Sequence, residues 1–204
     1  MPYATLAELR DWVGITVLAD TADDTKLTLA LDVASALVDS YTGRYFTADS
    51  SLVDREYVAG DGRALDVPTG ISTAVGLVVA TDDNDDGAYE TTWASTDYRL
   101  EPTNAADDGR PWTRIVAVGS KLFPTGDERL HPGVRVTAKG GWPAVPAPVK
   151  QATLIQAAFI WGRKDARFGV AGSPEFGNEL RVESALDRTA QVLLEAYRRP
   201  WVFV

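Results

Sequence analysis

Residues 146–168, PAPVKQATLIQAAFIWGRKDARF, constrain the fold more than any other stretch. Pro146 and Pro148 suit a helix entry, where a missing N–H costs nothing and the fixed φ is already helical. Behind them Val149, Ala152, Ile155 or Gln156, Phe159, Ile160 and Arg163 recur at three- and four-residue spacing, which predicts an amphipathic helix. Ala152, Ala157 and Ala158 are small enough for a second helix to approach closely. Gly162 weakens such a helix by only about 1 kcal/mol relative to Ala. After Phe168 the chain reads GVAGSPEFG, and Gly169, Gly172, Pro174 and Gly177 predict a flexible loop without a long regular element. A core helix thus delivers a basic turn into a glycine loop. Arg163, Lys164, Arg167, Phe168, Gly169 and Gly172 are therefore candidate partner-binding residues, and none has catalytic character.

Both ends of the chain share this helical grammar. In TLAELRDWV (5–13), Thr5 and Glu8 have the spacing of a capping box, and Gly14 follows the apolar stripe. A second helix starts near Thr21–Asp24 and carries Leu27, Ala30, Leu31, Ala34, Leu37, Val38 and Tyr41 on one face, with Gly43 as its stop. A fourth helix is predicted near Ser184–Tyr197, with Leu186, Ala190, Leu193, Leu194 and Tyr197 aligned. Between residues 54 and 140 short β-branched and aromatic runs alternate with turn residues. The predicted strands are Arg55–Ala59, Ala64–Val67, Val75–Thr81, Tyr89–Trp93, Tyr98–Glu101, Thr113–Val118 and Val134–Lys139. The expected fold is α+β: a four-helix body formed by both chain ends (1–53 and 141–204), with a β-rich domain (54–140) inserted between the second and third helices.

Composition narrows the function. The chain has 204 residues and no cysteine, which excludes disulfides and thiolate metal sites. No apolar run approaches the roughly 20 residues of a spanning helix, and MPYATLAELRDW lacks the pattern of a signal peptide. The net charge is −9, and between Asp82 and Gly109 nine acids face one base, Arg99. That balance disfavours duplex binding through a basic face, since phosphate affinity comes mostly from Lys and Arg.

The sharpest local motif is Asp82-Asp83-Asn84-Asp85-Asp86-Gly87, which matches the start of a calcium loop. The closing bidentate acid would fall at position 93, where the residue is Trp93. Asp82, Asn84, Asp86 and Glu90 are the candidate ligands of such a site. The flanking runs GLVVAT and AYETTW favour instead a hairpin tip, for which Asp, Asn and Gly are natural turn residues. As exposed turn positions, Asp82 and Asp86 would each contribute little stability. His131 is the only histidine, and no nucleophile or phosphate-loop motif accompanies it, so an enzyme is not expected. Trp142, in GGWPAVPAPVK, reads as a packing anchor between the insert and the helices. The last residues pair Arg198 and Arg199 with an apolar segment holding Trp201 and Phe203. These four are partner-binding candidates, because such a tail folds back on its own domain or docks on another chain.

The phrases YATLAELRDWVGI, VDSYTGRYF, VPAPVKQATLIQAAFIWGRKDARFGVAG and LDRTAQVLLEAYRR together resemble the head–tail connector (adaptor) family of long-tailed bacteriophages. DDNDDGAYETTWASTDYRLEP resembles the β insert of adaptors from phages infecting actinobacteria. The resemblance covers about half of the chain. It implies a structural, non-enzymatic virion protein at the head–tail interface, assembled in the host cytoplasm without a cofactor or a membrane. The family forms a dodecameric ring beneath the portal protein, extends the DNA channel without specific DNA binding, and receives a tail-side stopper or head-closure protein. The alternative carried by the residues is a calcium-stabilised β-rich binding module. A hydrolase with scattered carboxylates is a third, and no site in the sequence supports it.

Overall fold

The computed structural model describes residues 2–15, 21–126, 129–163, 170–171, 180–181 and 186–199. These residues form helices α1 (Leu6–Trp12), α2 (Asp24–Thr42), α3 (Ala147–Gly162) and α4 (Arg188–Leu194), with a 3-10 turn at Glu195–Tyr197. The strands are β1 (Val53–Tyr57), β2 (Ala64–Thr81), β3 (Thr91–Thr92), β4 (Tyr98–Glu101), β5 (Trp112–Ala117), β6 (Val134–Gly140), β7 (Val170–Ala171) and β8 (Leu180–Arg181). The fold is α+β. The chain divides into two compact units, Met1–Arg44 with Val145–Val204, and Tyr45–Ala144. These boundaries differ from the sequence estimate because residues 45–53 are laced to the end of β6. The Asp49 N–H donates to the Gly140 carbonyl (2.9 Å). The Asp49 carboxylate accepts from the Gly140 N–H (2.8 Å) and from Arg55 (2.7 Å). Trp142 packs on Phe46 at 5.2 Å between ring centroids, within this same unit.

In the helical unit the capping box forms as its spacing predicts. The Thr5 hydroxyl accepts from the Glu8 N–H, and the Glu8 carboxylate accepts from the Thr5 N–H at 2.8 Å. Arg10, 8% exposed, bonds both oxygens of Asp24 at 3.1 and 3.2 Å and so ties α1 to the first turn of α2. Leu9, Leu27, Ala30, Leu31, Ala34, Leu154 and Ala157 form the shared core. Gly43 closes α2 in the left-handed conformation. The buried face of α2 is rotated slightly from the predicted one. Leu37 is exposed, and Ser35 and Thr42 are buried instead. Their hydroxyls donate to the carbonyls of Leu31 and Val38, each at 2.8 Å, so burial leaves neither unpaired. On α3 it is Gln156, not Ile155, that is buried. Its side-chain oxygen accepts from the Asp187 N–H at 2.8 Å, and Asp187 in turn caps α4. The fourth helix therefore starts at Arg188, later than its apolar pattern suggests.

One ion pair makes this unit sensitive to acid. Lys150 on α3 donates to Glu8 on α1 at 2.8 Å. That bond, and then the Thr5 N–H, bring the Glu8 carboxyl down to about 2 from an ordinary 4.5. A depressed carboxyl contributes stability that is present above its unfolded value and lost as pH falls towards its folded value. The helical unit should therefore weaken between pH 4.5 and about 2. Both side chains are more than a third exposed, so added salt should shrink the effect. Glu8→Gln should flatten this part of the melting-temperature profile; an unchanged profile would show that the pair contributes nothing.

In the β unit one antiparallel sheet has the order β1-β6-β2-β5-β4, with β3 paired to the far end of β2. The sequence places two strands at 64–67 and 75–81, broken by Pro68-Thr69-Gly70. The structure has a single strand of 18 residues. It survives the break because the register with β5 shifts between Asp66 and Ile71, where Pro68 has no N–H to offer. Gly70 and Gly76, both at positive φ, bend the strand so that its first part pairs β5 and its last part β6. The predicted strand 89–93 shrinks to Thr91–Thr92. Leu65, Val67, Ile71, Val79, Ile115, Val134 and Val136 make the core, closed by Trp93 stacked on Phe123 at 4.5 Å.

Candidate functional site

The acidic motif sits at the tip joining β2 to β3, and its first residue is not a surface group. Asp82 is 0% exposed. One of its oxygens accepts from the N–H groups of Asp85 (2.7 Å) and Asp86 (3.3 Å), and the other from Gly87 (3.0 Å). Arg129, 15% exposed, donates to the Asp82 carbonyl at 2.5 Å and lies 3.6 Å from both the Asp82 and Asp85 carboxylates. Burial alone would push the Asp82 carboxyl up. The N–H groups of Gly87, Asp85 and Asp86, with the Arg129 charge, outweigh it and hold the carboxyl below its ordinary value. Asp85 has φ +63°, a conformation Asp tolerates. Its carboxylate accepts from the N–H groups of Leu130 and His131, which hold it below its ordinary value against burial.

This arrangement corrects the expectation of an ordinary exposed turn: Asp82 and Asp85 organise the tip from within. Oxygens of Asp82, Asp86 and Glu90 lie within 4.8 Å of one another, close enough to hold a metal ion. Asn84, however, directs its amide N–H₂ at Asp86 (3.1 Å) and Glu90 (3.2 Å), where a calcium ligand would present its oxygen. Position 93, where the closing acid would fall, holds the core residue Trp93, whose indole N–H reaches Thr81 at 3.3 Å.

The partner-binding candidates divide. Arg163 closes α3, with its guanidinium 5.5 Å from the Phe159 ring. Lys164, Arg167, Phe168, Gly169, Gly172, Trp201 and Phe203 lie outside the described residues, as do most of the glycine loop and the apolar tail. The backbone of β7 pairs antiparallel with that of β8. Arg198 and Arg199 come to the end of α2: the Arg199 N–H donates to the Thr42 carbonyl at 2.9 Å, and Arg198 lies over the Tyr41 ring at 5.3 Å. There they meet Arg44, partly buried, and a cleft of about 410 Å³ lined by Tyr41, Arg188, Gln191, Val192 and Glu195. Arg44, Arg188 and Arg129 carry no sequence motif, and only their placement in the fold marks them. Among the described residues no helix is long and apolar enough to cross a membrane.

No family model matches this chain, and no curated protein matches it. Solved structures do. A chain of the neck of an empty gene transfer agent particle, computed with C6 symmetry, is 23% identical and has a TM-score of 0.57. A chain of the neck of the native particle, computed with C12 symmetry, is 23% identical with a TM-score of 0.55. A third, from the virion of the native particle, is 21% identical with a TM-score of 0.53. Each alignment covers 97% of this chain and 90% of the other. Both units thus take part in a fold known from particle necks.

Proposed function

We propose that this chain is a structural neck protein of a phage-like particle, acting as the adaptor between head and tail. In this reading it forms a ring of twelve copies that docks beneath the portal protein. The ring continues the DNA channel, completes the filled head and receives the tail-side stopper. The observation that carries the reading is the likeness over 97% of the chain to a neck component computed with C12 symmetry. The head–tail connector phrases at both chain ends point the same way. A net charge of −9 suits a channel through which DNA slides, since excess acid repels phosphate overall. The test is negative-stain imaging of the purified chain, alone and mixed with its portal protein. Rings that stack coaxially on the portal are expected. A chain that stays monomeric with the portal present, or is missing from purified particles, would overturn the reading.

The calcium module stays in view because of the oxygen cluster at Asp82, Asp86 and Glu90. The bonds already filling Asp82 argue for an ion-independent tip. Melting in calcium and in chelator should accordingly agree. A calcium-dependent rise, growing with concentration as binding linkage requires, would favour the module.

A further inference from the structure

In a chain of net charge −9, four arginines gather at the end of α2. Arg188 lines the Tyr41–Val192 cleft and Arg198 lies over its Tyr41 ring, with Arg199 and Arg44 beside them at the end of α2, and Glu195 is the one described carboxylate lining the cleft. Glu195 is already engaged: it accepts from the Tyr41 hydroxyl at 2.9 Å and pairs loosely with Arg198 at 3.9 Å. No described carboxylate pairs with Arg44. Burial, and then the neighbouring Arg199 charge, pull its guanidinium below the ordinary value. Val192, 71% exposed, adds an apolar wall beside Tyr41. Tyrosine and arginine on a concave surface are residue types enriched in protein-binding hot spots.

We propose that this cleft, with the arginines beside it, docks the acidic β2–β3 tip of a second copy of this chain. The inference rests on the ring reading and specifies its contact. A ring closes through a heterologous interface, in which one patch of each copy meets a different patch of the next. The tip supplies the complement: Asp83, Asp86 and Glu90 are exposed, and none has a basic partner among the described residues. Beneath them, the Asp82 and Asp85 bonds to backbone N–H groups hold the loop in shape, so it needs little ordering to bind. Forked guanidinium donors match carboxylates in pairs, which gives register as well as attraction. Nucleic acid is the poorer occupant, because phosphate would also face the surrounding excess of acid.

The test is charge exchange in the full chain, read by sedimentation velocity at low and raised salt, with circular dichroism confirming folding. Arg188→Glu with Arg198→Glu should weaken self-association by roughly tenfold or more, as should Asp83→Lys with Asp86→Lys and Glu90→Lys. Combining both sets in one chain, or mixing the two variants, should restore association by exchanging the charges across the contact. Either variant associating like the parent, or the combined chain staying as dissociated as its components, overturns the contact. So does a parent chain that remains monomeric at low salt, or an arginine variant that loses DNA binding but not self-association. Association that needs calcium and survives the arginine changes overturns it in favour of a cation at the tip. If portal-bound rings still form with the arginine variant, this contact is wrong and the ring reading stands. If no rings form even for the parent chain with portal, the reading itself fails.

Discussion

Gly141→Ala is expected to leave the β unit unfolded or barely folded. Gly141 follows β6 at φ +92°, and a Cβ there would sit 2.0 Å from the Thr47 carbonyl oxygen and 3.2 Å from the Ala48 Cα. Those are backbone atoms, so no side chain can swing aside. They are also fixed from both directions, since the Asp49 N–H holds the Gly140 carbonyl and the Gly141 N–H donates to the Thr69 carbonyl at 3.2 Å. The left-handed conformation alone costs a residue with a Cβ about 1–2 kcal/mol. Displacing the 47–49 segment adds the loss of the Asp49 bonds and of the Phe46–Trp142 contact. The total should exceed about 3 kcal/mol, in the range where single substitutions unfold marginal domains. Chemical denaturation followed by tryptophan fluorescence would report it. Gly162→Ala, with open space around its Cβ, is the control and should leave the β transition alone. A Gly141→Ala protein with the parent's midpoint would mean that the 47–49 segment is free to move.

The helical parts were legible because their signals are local. Thr5 and Glu8 spell a capping box, Gly43 a left-handed stop, and the apolar spacing of α3 survives any tertiary rearrangement. What periodicity misses is the small polar residue turned inward. Ser35 and Thr42 are buried because each can donate to its own helix, a possibility that no hydrophobic stripe reveals. The long β2 was hidden for a related reason. Pro68 and Gly70 end a strand by local rules, yet a bulge against β5 absorbs both, and only the partner strand shows that. At the tip the residue types marked a turn or an ion site but carried no sign of burial. Arg129, 47 residues beyond Asp82 in sequence, reaches back to it. The arginines of the α2 end come from three separate stretches, and only the fold assembles them.

Asp82→Ala should lower the melting temperature of the β unit by roughly 5–10 °C, whereas Asp86→Ala should change it by less than about 2 °C. The contrast separates two residues that look alike in the motif. Asp86 is exposed, and its side chain meets Asn84 and the Ala88 N–H. Asp82 is enclosed, and removing its carboxylate strips acceptors from the N–H groups of Asp85, Asp86 and Gly87 while the largely buried Arg129 loses a counter-charge. An unmatched buried donor is dearer than a lost surface bond, because it forgoes water as well as its partner. Asp82→Asn keeps one oxygen acceptor and should recover part of the loss. The pH dependence follows with a definite sign. Both Asp82 and Asp85 are held below the ordinary aspartate value of 3.8. Their stabilisation is therefore complete above that value and is lost as pH falls through their lower folded values. The Asp82→Ala protein should lose less stability than the parent over that acid range. The measurements belong in chelator first. Should Asp82→Ala and Asp86→Ala prove equally mild there, the tip is a solvated turn and Arg129 does not anchor it. Should the Asp82 loss appear only after calcium is added, an ion and not the backbone is what that carboxylate holds.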